Sequence, residues 1–483
     1  MDTRGLLVLG PDAQTPEKFW IRDRSAGPAK NRAERSTSPI MFSGMFASRH
    51  RLRALGLLSA FAALTPSRAF AAGGGGGEGD SVIAVALLGI GVSYLLANFV
   101  IDKLQQRFLM LTGVEYVMLG MLLWNFGVIK DIDYLMPAIG LAAGWVGLLR
   151  GMDVHLDSVS ERPEGTLRIS FLHHFVPGAL VGFAAYYVFP FLGVDGVTWR
   201  ERAAVSLMLA CCAAADSAAP IDVVAKRYEI EGPLSERLRA AARLGDVLVI
   251  LAFGFAFTVF HAPPGEATGM DMTWAAEWTA LQLGMGVVLG LIFVTFLGGN
   301  ETPSGRFTAM VGIIAFASGA AFFLGLSSLA VNVCLGIVLV NVARTGKVMV
   351  ETLQSTERPF LLILLVLAGI LWRPPPLEPT VGLFGGFVLL RLAGKYIASR
   401  MAAFGQEGMR RDLFRGLLAH GEVTVAMAVS FQVVFDGVFV DVAYTVVLAS
   451  VVVYDLTSPR VLRGLLVDAG DVRRERSQAG VSA

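Results

Sequence analysis

Charge is what this chain has least of. Asp, Glu, Lys and Arg make up 16% of its 483 residues, against about 25% in average globular proteins. A soluble protein of this length needs roughly three domains, each with a polar skin, and the charges for those skins are missing. Mean hydropathy is correspondingly high, at +0.62. The charge that exists favours neither sign: 40 Lys and Arg stand against 39 Asp and Glu, so no overall field draws a nucleic acid or an acidic partner. Cysteine is nearly absent too. Cys211, Cys212 and Cys334 lie within apolar runs, with neither metal-ligand spacing nor a disulfide framework, and read as small apolar fillers. These shortages exclude a soluble enzyme, a nucleic-acid binder and a disordered scaffold. What is present is 54% apolar residues, gathered in runs of roughly 18 to 25, the length that spans a bilayer as a helix. The chain reads as an all-α polytopic membrane protein.

Five segments follow from composition. Residues 1–48 form a polar leader, disordered or untranslated, with Met41 or Met45 as the more natural start. Residues 49–72 read as a signal peptide: a basic stretch with Arg49, His50, Arg51 and Arg53, an apolar stretch from Ala54 to Leu64, and the ending Ala69-Phe70-Ala71. An uncleaved anchor is the alternative. Residues 73–80 are a Gly-rich linker, 81–462 the membrane domain, and 463–483 a polar cytoplasmic tail.

Apolar runs fall at 81–101, 109–129, 133–150, 168–192, 198–225, 236–260, 274–297, 306–326, 327–345, 359–373, 380–403, 412–432 and 438–462. About thirteen spans are expected, each helical because lipid offers the backbone no hydrogen bonds. Lys and Arg orient them. With the mature N-terminus outside, the inside connections hold Lys103, Arg107, Arg150, Arg162, Arg168, Lys226, Arg227, Arg237, Arg239, Arg243, Arg306, Arg344, Lys347, Arg358, Arg400, Arg410, Arg411 and Arg415. The outside ones hold Lys130, Arg200, Arg202 and Arg373. The expected topology is N-out, C-in, as in a bacterial inner membrane.

Ionisable groups within a span are costly and mark cavities or ion pathways. The fifth span carries Asp216-Ser217-Ala218-Ala219-Pro220, an acid, a hydroxyl and a proline in mid-membrane. A broken helix is expected there, with freed carbonyls and nearby oxygens available to a cation; the alternative is a proline kink with Asp216 paired to a base. In the sixth span Asp246 follows Gly245 and precedes a long apolar stretch. Burial favours its neutral acid, so it can hold a proton in competition with a hard cation; capping, or pairing with Arg243, is the alternative. The eleventh span holds Arg391 and Lys395, four residues apart on one helical face, with Lys395 also explicable by snorkelling. The twelfth contains His420-Gly421-Glu422-Val423, a candidate second break, with an ordinary capped re-entry as the alternative. His173-His174 diverge by about 100 degrees on a helix and lack a companion carboxylate cluster for a metal.

Together these segments resemble bacterial monovalent cation/proton antiporters of the sodium/hydrogen exchanger superfamily, over residues 85–462. The resemblance rests on Ala215-Asp216-Ser217 and Leu244-Gly245-Asp246-Val247-Leu248. Glu357-Arg358-Pro359-Phe360, Arg391 with Gly394, and Gly421-Glu422-Val423 support it. It implies two inverted-topology repeats, spans 1–6 and 8–13, whose broken fifth and twelfth helices cross. Spans near 5, 6, 12 and 13 would form a mobile core and the rest a scaffold for a homodimer. It implies secondary transport of a monovalent cation, Na⁺ or K⁺, against protons, with no cofactor and no enzymatic activity.

Carried over residue by residue, Asp246 is the proton and cation carboxylate. Asp216 and Ser217 join it in the ion- and proton-binding group at the break, and Arg391, Lys395 and Glu422 are supporting charges. Gly245 departs from the Asp, Asn or Gln common at its position. That leaves one carboxylate and points to electroneutral exchange, unless Asp216, where relatives often carry Thr, supplies a second acid. Glu115, Trp124-Asn125, Asn332 and Cys334 also depart from the pattern. Same-fold symport, a conductive pathway and a non-transporting membrane sensor are the alternatives.

Overall fold

The computed structural model describes residues 113, 115–125, 132–156, 163–188, 191, 197–228, 232–260, 272–296, 302–343, 346–354, 356–406 and 409–470. The expected leader, signal peptide, linker and first span lie outside the described residues. So do 471–483 of the expected tail.

Among the described residues there are fourteen α-helices and no strand. They are α1 (Glu115–Asn125), α2 (Met136–Met152), α3 (Thr166–Val188), α4 (Trp199–Ala214), α5 (Ala219–Tyr228), α6 (Pro233–Phe260) and α7 (Met272–Phe296). Then come α8 (Pro303–Phe323), α9 (Ser328–Val342), α10 (Gly346–Gln354), α11 (Glu357–Ile370), α12 (Leu377–Ala403), α13 (Glu422–Val434) and α14 (Val438–Ala469). Among the described residues eight segments are long and apolar enough to cross a membrane, and the chain is a multi-pass membrane protein. Every expected run from 109 onward contains helix, and the run 198–225 divides at 215–218 as its Asp and Pro suggest. The last run ends later than its apolar residues do. α14 continues to Ala469, so 463–469 of the expected tail are helical, stopped by Gly470 in the left-handed region at φ 79°.

Polar residues at the run boundaries start the helices. Thr198 and Glu201 form a capping box on α4. Thr302 accepts from the Gly305 N–H at the start of α8, and Ser327 from the Ala330 N–H at the start of α9. Glu115 opens α1, where a carboxylate favours the helix N-terminus. Its departure from the family pattern is a helix start.

Close approach depends on small residues, as it must where lipid gives no hydrophobic drive between helices. Gly144, Gly147 and Gly151 form one face of α2, and a Cβ on any of them would collide with α9 or, at Gly144, also with Ser318 of α8. Asn332 of α9 lies in this seam, donating to Ser318 Oγ (3.1 Å) and to the Ser328 carbonyl (2.8 Å). Its departure is interhelical polar bonding.

The order long helix, broken segment, long helix occurs twice: α3, α4/α5, α6 and α12, 413–434, α14. The second broken segment is a 3₁₀ turn, Leu413–Gly416, followed by irregular chain and α13. The two breaks touch, since a Cβ on Gly421 would lie 2.9 Å from Ser217 Cβ and Oγ.

The connections assigned to one side also meet in space. Arg150 donates to Glu357 (2.8 Å), Asn341 to the Val154 carbonyl (2.8 Å), and Arg168 to the Met401 and Phe404 carbonyls. Arg410 donates to the Asp468 carbonyl. At the opposite end Arg373 pairs with Asp436 (3.4 Å).

Candidate functional site

α4 stops at Ala214 and α5 begins at Ala219 with Pro220 in its first turn, where proline's missing N–H costs nothing. The last carbonyls of α4 are thereby deprived of intrahelical donors. They are met by α12. Arg391 Nε donates to the Ala213 carbonyl (3.0 Å) and Nη2 to that of Ala215 (2.9 Å). Nη1 reaches the Leu418 carbonyl in the second break (2.6 Å). Lys395 Nζ donates to the carbonyls of Ala214 (3.2 Å) and His173 (2.8 Å). Cationic groups are favoured at a helix C-terminus, and here one guanidinium serves both breaks.

This bears on two expectations. The freed carbonyls of the first break accept from Arg391 and Lys395. Lys395 does not snorkel: it is fully buried, like Arg391 and Asp216.

Asp216 has the partner foreseen in its alternative reading. Its Oδ1 accepts from Lys395 Nζ at 2.5 Å, with Arg391 Nη2 at 3.5 Å. Its Oδ2 has no hydrogen bond and faces His174 Nε2 at 3.6 Å. Ser217 Oγ accepts from the Ala219 N–H (3.3 Å), capping α5.

Asp246 stands on α6, 2% exposed. Its Oδ1 has no hydrogen bond, and its Oδ2 lies 3.9 Å from Arg150 Nε. Arg243 is not its partner. That guanidinium turns to Asp222 (3.4 Å) and Asp153 (3.9 Å). Gly245 is explained by the neighbouring helix, because a Cβ there would overlap the His174 imidazole. The ring occupies the room that an Asp or Asn side chain would need.

Glu422 opens α13 directly after the second break and pairs with Arg150. Arg150 also donates to Asp153 Oδ2 (2.9 Å) and Glu357 Oε1 (2.8 Å). From the end of α2 this one cation thus faces carboxylates on α6, α11 and α13. His420 extends the second break inward, with Nδ1 against Thr424 Oγ1 (3.2 Å) and Nε2 against Ser450 Oγ (3.1 Å).

The structure therefore gathers Asp216, Ser217, Arg391 and Lys395 at one break. Asp246 lies beside them through Gly245 and His174, and Glu422 joins Asp246 through Arg150. Three participants escaped the sequence reading in these roles. Arg150 counted only as a loop charge at the end of an apolar run. Glu357 was quoted for resemblance without a role. His174 was weighed only as a metal ligand, and among the described residues no group of three or more His, Cys, Asp or Glu is placed to hold a metal.

Chemically, the arrangement separates two buried carboxylates. One is held by fixed cations, and the other keeps an oxygen free for a proton or a small hard cation.

The fold is that of a sodium/proton antiporter. The structure of the sodium proton antiporter MjNhaP1 from Methanocaldococcus jannaschii at pH 8 is similar, with a TM-score of 0.58 and 14% identity over 81% of this chain and 99% of that one. A second structure of MjNhaP1, from electron microscopy, gives a TM-score of 0.52 and 14% identity over 80% and 96%. No protein-family model and no curated protein matches the chain by sequence.

Proposed function

We propose that this protein exchanges a monovalent cation, Na⁺ or K⁺, for protons across the membrane by alternating access. Asp246 is the carboxylate that carries one or the other. The supporting observation is the free Oδ1 of Asp246, buried beside two crossing breaks whose own carbonyls and carboxylate are already paired with Arg391 and Lys395. A deprotonated Asp246 needs a positive partner, and two are available to it: a transported cation, or Arg150 approaching from α2. Binding of the cation displaces the guanidinium and binding of a proton removes the need for either, so the two substrates compete for one group. Because Asp216 is held by Lys395, one carboxylate cycles, and exchange is one-for-one and electroneutral.

The asymmetry of Lys and Arg supports an N-out, C-in orientation in a bacterial inner membrane. The family resemblance supports a homodimer. The experiment is cation-dependent proton movement in proteoliposomes. Asp246→Asn should abolish it while leaving folded yield intact, and undiminished exchange in that variant would overturn the assignment.

A further inference from the structure

His174 and Asp216 pose a hydrogen-bonding problem that the proposed exchange does not use. His174 Nδ1 lies 2.6 Å from the Ser170 carbonyl. A carbonyl only accepts, so Nδ1 carries the hydrogen, and in the neutral ring Nε2 is then an acceptor. It faces Asp216 Oδ2 at 3.6 Å, and an ionised carboxylate also only accepts. Both atoms are buried, and neither has a hydrogen bond. Two acceptors directed at each other in a buried site call for something positive between them.

A metal cation does not suit the place. Lys395 Nζ and Arg391 Nη2 already stand 2.5 and 3.5 Å from the other oxygen of the same carboxylate, and among the described residues no third metal-ligating side chain completes a site there. Nor does the remaining side of the ring help, since it borders a largely hydrocarbon groove of about 920 Å³ along α3, α4 and α6. We propose that His174 Nε2 and Asp216 Oδ2 together bind one proton, in a site separate from Asp246. It is taken from water, bonded at Nε2 as an imidazolium and donated toward Oδ2. It is not traded for a transported cation, because Lys395 and Arg391 already stand against the other oxygen of the carboxylate.

Four sets of groups bear on this proton. Asp216, in the break between α4 and α5, accepts from it. Lys395 and Arg391 on α12 oppose it. His173, the neighbour on α3, turns its Nε2 away to Ser399 (3.2 Å). Asp246 on α6 follows Gly245, against which the ring packs. Loss of the proton leaves two lone pairs opposed at the point where α3, the break and α6 meet, so the site sets the pH dependence of whatever those helices do. As a control of exchange this rests on the function proposed above; as a proton site it does not.

The test is nitrogen NMR of the full-length protein labelled in its six histidines, with His174→Asn identifying the signal by its loss. Nδ1 should be protonated throughout, while Nε2 gains a proton on acidification. In proteoliposomes His174→Asn should displace the pH midpoint of exchange by about one unit or more. An Nε2 that stays unprotonated across the pH range in which exchange varies overturns the proposal, as does an exchange profile of His174→Asn superimposable on that of the unaltered protein. The spectrum needs neither gradient nor transport. Titration of Nε2 without any cation exchange would leave this site standing and remove the exchanger reading. Exchange with a silent Nε2 would do the opposite.

Discussion

Asp216 and Asp246 are both buried, yet their surroundings differ in almost every respect. Asp216 has a lysine at 2.5 Å, an arginine at 3.5 Å and an imidazole at 3.6 Å. Asp246 has one guanidinium nitrogen at 3.9 Å, the backbone amide of Asp216, and an oxygen with no bond at all. Equal burial therefore does not mean equal function. The first acid completes a charge cluster that holds two broken helices together, and the second keeps one oxygen, Oδ1, without a hydrogen bond. A buried ion pair is weak support for stability, but removing one member is strongly destabilising. A carboxylate that binds a changing partner has to be one whose neutralisation the fold tolerates.

That contrast is broken most directly at Asp216. Asp216→Asn leaves Lys395 and Arg391 without their carboxylate, and thermal unfolding in detergent should show a loss of about 3–5 kcal/mol. Asp216→Asn with Lys395→Met should recover much of it. Asp246→Asn should stay near the unaltered protein, so equal losses in the two single variants would erase the distinction between the acids.

Next in size is Gly245→Ala. Its methyl meets the His174 ring and should cost about 1–3 kcal/mol by overpacking. The double variant with His174→Ala should be non-additive, and simple additivity would remove the steric account of Gly245.

A smaller effect sharpens the other half. Arg150→Gln removes the guanidinium that the structure places 3.9 Å from Asp246 Oδ2. Among molecules that remain folded, the half-saturating cation concentration should fall by roughly fivefold, on the order of 1 kcal/mol. An unchanged value would mean that Arg150 does not compete at Asp246.

What the sequence disclosed and what it hid divide along the same physical line. Asp216, Asp246 and Arg391 were legible because a charge inside an apolar run is costly wherever it points, and the first break was legible because Asp and Pro stand close together in one run. Partnership was not legible. Arg150 closes an apolar run as any inside-facing arginine does, and only folding brings it to Glu357, 207 residues away. Lys395 was ambiguous because a long stem can reach either the interface or a buried acid. Its choice depends on Asp216, 179 residues earlier. Gly245 showed as a departure, but its cause lies on α3, in the ring of His174. The second break was only half visible. Gly421-Glu422 marked it, whereas the apolar run from 412 gave no hint that its first part is a 3₁₀ turn and irregular chain rather than helix.

Arg391 also has a consequence for biosynthesis. The carbonyls it serves at the first break belong to Ala213 and Ala215, 178 and 176 residues before it, while Leu418 comes 27 residues after. At about 5–20 residues per second, the ribosome needs roughly ten to thirty seconds to travel from the first break to its guanidinium. During that interval α4 is made but its end has no cap from α12, and a nascent chain stopped before residue 391 cannot finish its own first half. The first half acquires this cap only once the eleventh run has been made.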